Sequence, residues 1–514
     1  MASKMLTGNM PGLMENVLKN LNNEIDSLYS CALVSRHWCR MSIPILWQDP
    51  FSSRRKPLFV PIYFSSLDED DKFVLKECLK EVGINVEFSK PLFDYARYLK
   101  VLYISRLNDE IKEWIDLKLG KPKLLDCDSW TNTLITLSFK LFLESGAILH
   151  ELDLYRFEIL KFESEIFLSL EQNEQSFSRL QHLSLDVKPV LGIENITNLL
   201  RILAKNTTKI SGLKLEFYSN YESQLIDNLF PALIHLIKSQ EQLRKFRLSN
   251  CREDFPTEFH GIISALESQK NSLQEVVLNG CGFSAEFEVL NNCKNLEKFR
   301  IRTCNTKILK ILDYNISTLE IIDFQIDVPI IVQILGKFGI LFQRLRFESE
   351  ETIWEDSLLL EALKSFCPNI TYLYITNIGF STQLLEVIGN LQKLQFLTLG
   401  YGYNIPEEER KMLITQFAKI LPSTLQYLDF ANTWVDSFID ILLNHCNAPL
   451  RKLLIGRGSL DNEKNTKAII QYCIRNRTLN YVGVVQYFNL DDDVKNELKR
   501  YVTLLPYRNI SVDC

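Results

Sequence analysis

Residues 243–251 read LRKFRLSNC, residues 273–281 read LQEVVLNGC, and residues 296–304 read LEKFRIRTC. Each opens on the hexad L-x-x-L-x-L, with Ile, Val or Phe able to replace Leu. Each closes on a cysteine eight positions after the first Leu: Cys251, Cys281 and Cys304. The last two apolar residues of the hexad stand two apart, which is strand spacing and puts both side chains on one face. Further copies begin at Leu99, Leu134, Leu149, Leu180, Ile210, Leu319, Phe342, Ile370, Leu394, Leu425, Leu450 and Leu479. That makes about fifteen copies at a mean spacing of roughly 27 residues, a period typical of stacked repeats. One such unit cannot bury its own apolar face, whereas a stack of them can. Residues 99–514 are therefore expected to form a solenoid of parallel strands.

Between hexads the apolar period lengthens. Residues 193–205, 223–238, 257–269, 357–366 and 434–446 carry apolar residues at helical spacing. The expected fold is α/β, with parallel strands on a concave face and helices on the convex face. Cys293 and Cys367 stand three positions before a hexad, and Cys446 lies close to that slot. A free cysteine there serves as a small buried hydrophobe with a weak S–H donor. No CxxC pair, HExxH or Cys/His cluster has ligand spacing, so neither a metal nor another cofactor is expected.

The totals narrow the function. At 514 residues the chain exceeds one ordinary globular core. Its net charge of −6 gives no global pull toward nucleic acid or an anionic membrane, so neither is expected as a partner. Nowhere do about 18 apolar residues run together, so no bilayer span is expected. The stretch MASKMLTGNMPGLMENVLKN lacks the continuous apolar core of a secretory signal. The twelve cysteines are thus expected as free thiols in a reducing compartment, cytoplasmic and/or nuclear. No GxSxG, P-loop or GxGxxG before a helix occurs, and the six histidines are scattered, so the chain is not expected to be an enzyme. Gly400-Tyr401-Gly402 reads as a turn.

Residues 10–51 differ in character from the repeats. Pro11 suits a helix start, and Val17, Leu18 and Leu21 give a helical apolar stripe. Asn22 and Asn23 punctuate, and Asp26 is a candidate N-cap. A second helix is expected from about Ser27 to Met41, broken by Pro44, with Ile45, Leu46 and Trp47 as an apolar plug. Residues 52–98 read as a connector with one helix over 66–82 and a short basic loop, SSRRKP.

Two resemblances follow. The repeat spacing is similar to the cysteine-containing class of leucine-rich repeats over most of residues 99–490. Residues 10–51 resemble an F-box. Met10-Pro11 stands where that family has Leu-Pro. Leu28 through Trp38 follows L-x-x-x-x-L-V-S-R-x-W, with Leu33, Val34, Ser35, Arg36 and Trp38 in place, and Pro44, Leu46 and Trp47 follow P-x-L-W. Gly12-Leu13 departs from the acidic residue the family often has there; Glu15 comes later. The resemblance implies a substrate receptor of an SCF-type cullin–RING ubiquitin ligase, its F-box docked on a Skp adaptor. Pro11, Val17, Leu18, Leu33, Val34 and Trp38 would make that contact, with Leu46 and Trp47 closing it. The alternative is a leucine-rich-repeat scaffold or inhibitor that acts without a ligase, its N-terminal helices capping the array.

The outward positions of the hexads map the binding surface. The middle repeats are basic: Lys245, Arg247, Lys298, Arg300, Arg302, Arg344 and Arg346, interrupted by Glu275, Asp323 and Glu348. The later ones are aromatic: Tyr372, Tyr374, Phe396, Tyr427 and Tyr481. Guanidinium groups beside aromatics suit an acidic or phosphorylated protein substrate. The competing reading is that cross-strand pairs neutralise one another.

Overall fold

The computed structural model describes residues 11–21, 24–52, 57–120, 128–155, 169–187, 193–217, 225–250, 258–311, 316–400, 406–430, 433–460, 462–487 and 490–512. The hexads become strands because their alternate apolar residues have one buried face to fill and their neighbours carry the same pattern. The chain divides into two compact units. Residues 1–252 and 260–272 form the first; residues 253–259 and 273–514 form the second.

In the first unit the strands are β1 (Val101–Tyr103), β2 (Glu151–Leu154), β3 (His182–Val187), β4 (Gly212–Phe217) and β5 (Lys245–Asn250). Each pairs in parallel with the next. In the second they are β6 (Glu275–Asn279), β7 (Lys298–Arg302), β8 (Thr318–Asp323), β9 (Arg344–Ser349), β10 (Tyr372–Thr376), β11 (Phe396–Gly400), β12 (Tyr427–Asp429), β13 (Lys452–Ile455), β14 (Tyr481–Val484) and β15 (Thr503–Pro506). These too run parallel in chain order. Parallel neighbours need a crossover between them, and the intervening segments supply it. The protein is an α/β leucine-rich-repeat solenoid.

The first unit also holds α1 (Pro11–Asn20), α2 (Ile25–Ala32), α3 (Arg36–Leu46), α4 (Val60–Phe64), α5 (Glu69–Glu81), α6 (Ile104–Leu119), α7 (Asp128–Glu144), α8 (Ile193–Asn206) and α9 (Phe230–Ser239). The second holds α10 (Val328–Phe338), α11 (Asp356–Phe366), α12 (Thr382–Asn390), α13 (Glu407–Ile420), α14 (Ile439–His445), α15 (Glu463–Asn476) and α16 (Asp492–Leu498). In the first unit α8 packs on α9, and in the second each helix from α10 to α16 packs on the next, while inward strand residues such as Leu213, Leu215, Leu345 and Phe347 are buried.

The cysteines behave as small core residues. Among the described cysteines none is bridged, and Cys281, Cys293, Cys304, Cys367, Cys446 and Cys473 are buried. The Cys281 amide donates to Cys304 Sγ at 3.3 Å, joining two turns that leave adjacent strands. Burial pushes the Cys367 thiol up to about 12 and Cys446 to about 11, so neither is a thiolate at neutral pH. In the first unit glutamine stands in or next to the slot before the hexad. Gln240 Oε1 accepts from the Ile210 amide at 3.0 Å, and Gln269 Oε1 accepts from the Leu243 amide at 3.1 Å. Each satisfies a buried donor from the neighbouring repeat.

Several expectations are corrected. The Leu134 hexad lies inside α7: an uninterrupted 17-residue segment with Leu134, Ile135, Phe139, Phe142 and Leu143 all buried prefers a core helix. The eighth strand is phased from Ile316, not Leu319, since Thr318 pairs with Lys298 and Arg344. A fifteenth strand, β15, lies beyond the expected hexads: its register puts Tyr501 and Pro506 in the slots where the pattern has Leu, Ile, Val or Phe. Within the span expected as a helix over 257–269, the described residues 258–269 make a turn and a 3₁₀ helix, Ser264–Gln269, since His260 and Gly261 both take positive φ. The single helix expected from Ser27 to Met41 is two, α2 and α3. α2 begins at Ile25, so Asp26 lies in its first turn and is not its cap. Pro44 sits inside α3 and does not end it; the ladder resumes when the Trp47 amide donates to Ile43 O at 3.1 Å. Met10, Asn22, Asn23, most of the SSRRKP loop, Cys251, Tyr401 and Gly402 lie outside the described residues.

Candidate adaptor and partner surfaces

The three N-terminal helices share a small core of Met14, Leu18, Leu28 and Ile45, against which Leu21, Cys31, Trp38, Met41 and Leu46 pack. The corner between α2 and α3 is set by Ser35, whose Oγ accepts from the Trp38 amide at 3.2 Å and caps α3. That cap stops α2 from running on and turns Leu33 and Val34 outward. They are 71 % and 58 % exposed, and Val17 and Tyr29 are exposed as well. These exposed apolar side chains are the candidate contact surface of the segment. The remaining expected docking residues sit elsewhere. Leu18 has no accessible surface and holds the helices together. Trp38 and Leu46 are half-buried in the same core. Trp47 packs its ring on Tyr95 at 4.2 Å and Tyr63 at 5.1 Å, anchoring the helices to the connector. Pro11 opens α1.

Of the expected substrate residues, Lys245 and Arg247 lie on β5 in the first unit and are both exposed. The others lie in the second unit, where register aligns Arg300, Glu320, Arg346 and Tyr374 across β7 to β10. Glu320 faces Arg300 at 3.5 Å and Arg346 at 3.8 Å; Arg300 also meets Glu275 at 3.6 Å, and Arg346 meets Glu348 at 2.5 Å. The basic stripe is therefore an alternating ladder whose central guanidiniums are already engaged. Arg344 and Arg346 lie over the Tyr372 and Tyr374 rings at 4.4 and 4.3 Å. Burial and the Glu348 carboxylate push the Tyr374 hydroxyl up to about 12. Lys298 is partly exposed at the start of β7 and Arg302 is exposed at its end.

The aromatic stretch is covered. After β15 the chain turns back across the outward side of the strands. Tyr507 donates its hydroxyl to Asp429 Oδ2 at 2.8 Å, Ile510 packs with Tyr427 and Leu454, and Tyr372 donates to Val512 O at 3.1 Å. Tyr372 is 1 % exposed as a result, so it is sealed and does not offer a substrate surface. Gly483 allows this approach: a Cβ there would meet Ile510 Cδ1 at 2.8 Å. The Tyr427 and Tyr507 hydroxyls are held well above the ordinary tyrosine range by burial and by the Asp429 carboxylate. Two participants escaped sequence reading. Glu320 was hidden by the wrong phase of its hexad, and nothing in residues 507–512 has the spacing of a repeat.

No protein-family model matches the chain. No curated protein matches it. Among solved structures the chain is similar to the Rad7 and Elc1 complex in yeast, at 11% identity over 68% of this chain and 88% of that one, with a TM-score of 0.33. It is also similar to the leucine-rich-repeat-containing protein LegL7 from Legionella pneumophila, at 12% identity over 58% of this chain and 98% of that one, with a TM-score of 0.35.

Proposed function

We propose that the chain is a substrate receptor of an SCF-type cullin–RING ubiquitin ligase, working in the cytoplasm or nucleus. Its N-terminal helices bind a Skp adaptor and its repeats hold a protein for ubiquitination. It contributes proximity and no bond chemistry of its own. The observation that carries this reading is the Leu33–Val34 corner, two large aliphatic side chains held in water by a cap that fixes them there.

The test uses the full chain co-purified with a Skp adaptor. Leu33→Asp with Val34→Asp should weaken capture at least about thirtyfold, the loss of a hot spot worth 2 kcal/mol or more. Melting temperature should stay unchanged, because neither residue is in the helices' core. Failure of the wild type to bind adaptor would favour the second reading, a scaffold or inhibitor without a ligase. On the substrate side, reversal of Arg300 and Arg346 would break the ladder as well as any contact. Lys245→Glu with Arg247→Glu, on β5 and outside that ladder, should abolish capture of an acidic substrate while leaving adaptor binding intact.

A further inference from the structure

A cavity of about 580 Å³ opens in the first unit between α1, α3 and the leading ends of β1 to β3. Its walls come from two regular sources. One is the turn-spaced row Glu15 and Lys19 on α1 with Arg40 on α3. The other is the second position of successive hexads, which places Lys100 just before β1 and His150 just before β2, their backbones joined by His150 N to Lys100 O at 2.7 Å. Arg97 and Arg179 close the rim. The cavity thus gathers five cationic side chains against one carboxylate in a chain whose net charge is −6. Glu15 is already taken by Lys19 at 2.7 Å. Among the described residues, Arg40, Arg97, Lys100 and Arg179 form no ion pair. Elsewhere the pattern is opposite, as the β6–β9 ladder matches each central guanidinium with carboxylates.

The groups repel one another. Lys100 is held below the usual lysine range by burial and by Lys19 and Arg179, and His150 is held below the usual histidine range by burial, Lys100 and Arg179. Concentrating like charge around a concave space costs stability unless something of opposite sign fills it. The volume falls in the range of small-molecule sites and far exceeds one phosphate group. Guanidinium forks pair with phosphate oxygens two at a time.

We propose that this cavity binds a small soluble anion carrying two or more phosphate groups, clamped by Arg40, Arg97 and Arg179 and seated on Lys100. The site is separate from the Leu33–Val34 corner and does not depend on the ligase reading. Filling it would tie α1 and α3 to the first strands, so the ligand would act as a structural cofactor.

The probe is inorganic tripolyphosphate, titrated calorimetrically into the full chain. It should bind and raise the melting temperature by several degrees when in large excess over Kd. Arg40→Glu with Arg179→Glu should weaken binding about a hundredfold or more, since two charge-assisted contacts are reversed. Both residues are exposed, so the variant should keep the wild-type circular dichroism spectrum. Lys209→Glu, an exposed cation outside the cavity, should bind as wild type does. Bound tripolyphosphate should also raise the His150 pKa seen by NMR, and the Arg40→Glu, Arg179→Glu variant should lose that rise. Absence of binding, binding unaffected by the double reversal, or an unmoved His150 would overturn the proposal. Capture of the chain by vesicles containing a phosphorylated inositol lipid, without binding of soluble tripolyphosphate, would overturn it too.

Discussion

At the scale of single residues, Glu320 decides how the open face of the second unit is used. Its side chain is only 9% exposed and lies between Arg300 and Arg346. Removing one member of such a network strands the others without an opposite charge, which is costlier than never having built it. Glu320→Ala should therefore destabilise the second unit by about 3 kcal/mol. Glu348→Ala, at the more exposed end of the ladder, should cost less than about 1 kcal/mol. The triple change Arg300→Met, Glu320→Leu and Arg346→Met should recover most of the loss, since apolar packing of similar volume replaces a buried ion network with little penalty. Urea unfolding midpoints measure all three. Equal midpoints for Glu320→Ala and Glu348→Ala would mean that the ladder is a solvated surface array and that its guanidiniums are open to a substrate after all.

At the scale of elements, residues 507–512 behave as a strap over β10 to β14. Gly483→Val should lift it, because the new methyl groups would occupy the space of Ile510 and Leu454. Hydrogen exchange should then quicken at 507–512 while the β10–β14 amides stay protected. Loss of protection in both together would make the strap part of the cooperative core. The strap also has a pH signature. Both Tyr427 and Tyr507 keep their protons longer in the folded protein than in the unfolded chain. The folded state therefore binds more protons above the ordinary tyrosine pKa of about 10, and stability falls as pH rises beyond it. Attachment of the strap should be constant through neutral pH and weaken progressively above about pH 10. The same scale shows what was legible in the sequence. Period-2 apolar pairs found β1 to β7 and β9 to β14, since burial on one face leaves that trace. The Leu134 segment carried the same letters in a continuous apolar run, where period alone cannot tell a strand from a core helix. β8 was found but misphased by three residues, because Ile316 and Leu319 both satisfy the hexad. The split between α2 and α3 depended on a serine cap, and the strap on tertiary contacts that have no local period.

At the scale of the whole molecule, the N-terminal helices serve the solenoid as well as any adaptor. β1 is the outermost strand of its unit, and the Gln48 carbonyl accepts from the Lys100 and Val101 amides at 2.9 and 3.1 Å. Those bonds end the ladder at a place where an exposed edge would otherwise recruit another strand. Trp47 meanwhile fills the aromatic nest of Phe59, Tyr63 and Tyr95. Deleting residues 1–52 would remove the carbonyl and the indole together. The shortened chain should therefore self-associate in light scattering coupled to size-exclusion chromatography, and it should melt lower than the full chain. The Leu33→Asp, Val34→Asp variant should stay monomeric, because it leaves Gln48 and Trp47 in place. A monomeric deletion variant with an unchanged melting temperature would show instead that the helices sit loosely on the repeats. Partners of the solenoid are consequently best sought with the double aspartate variant, whose edge remains closed.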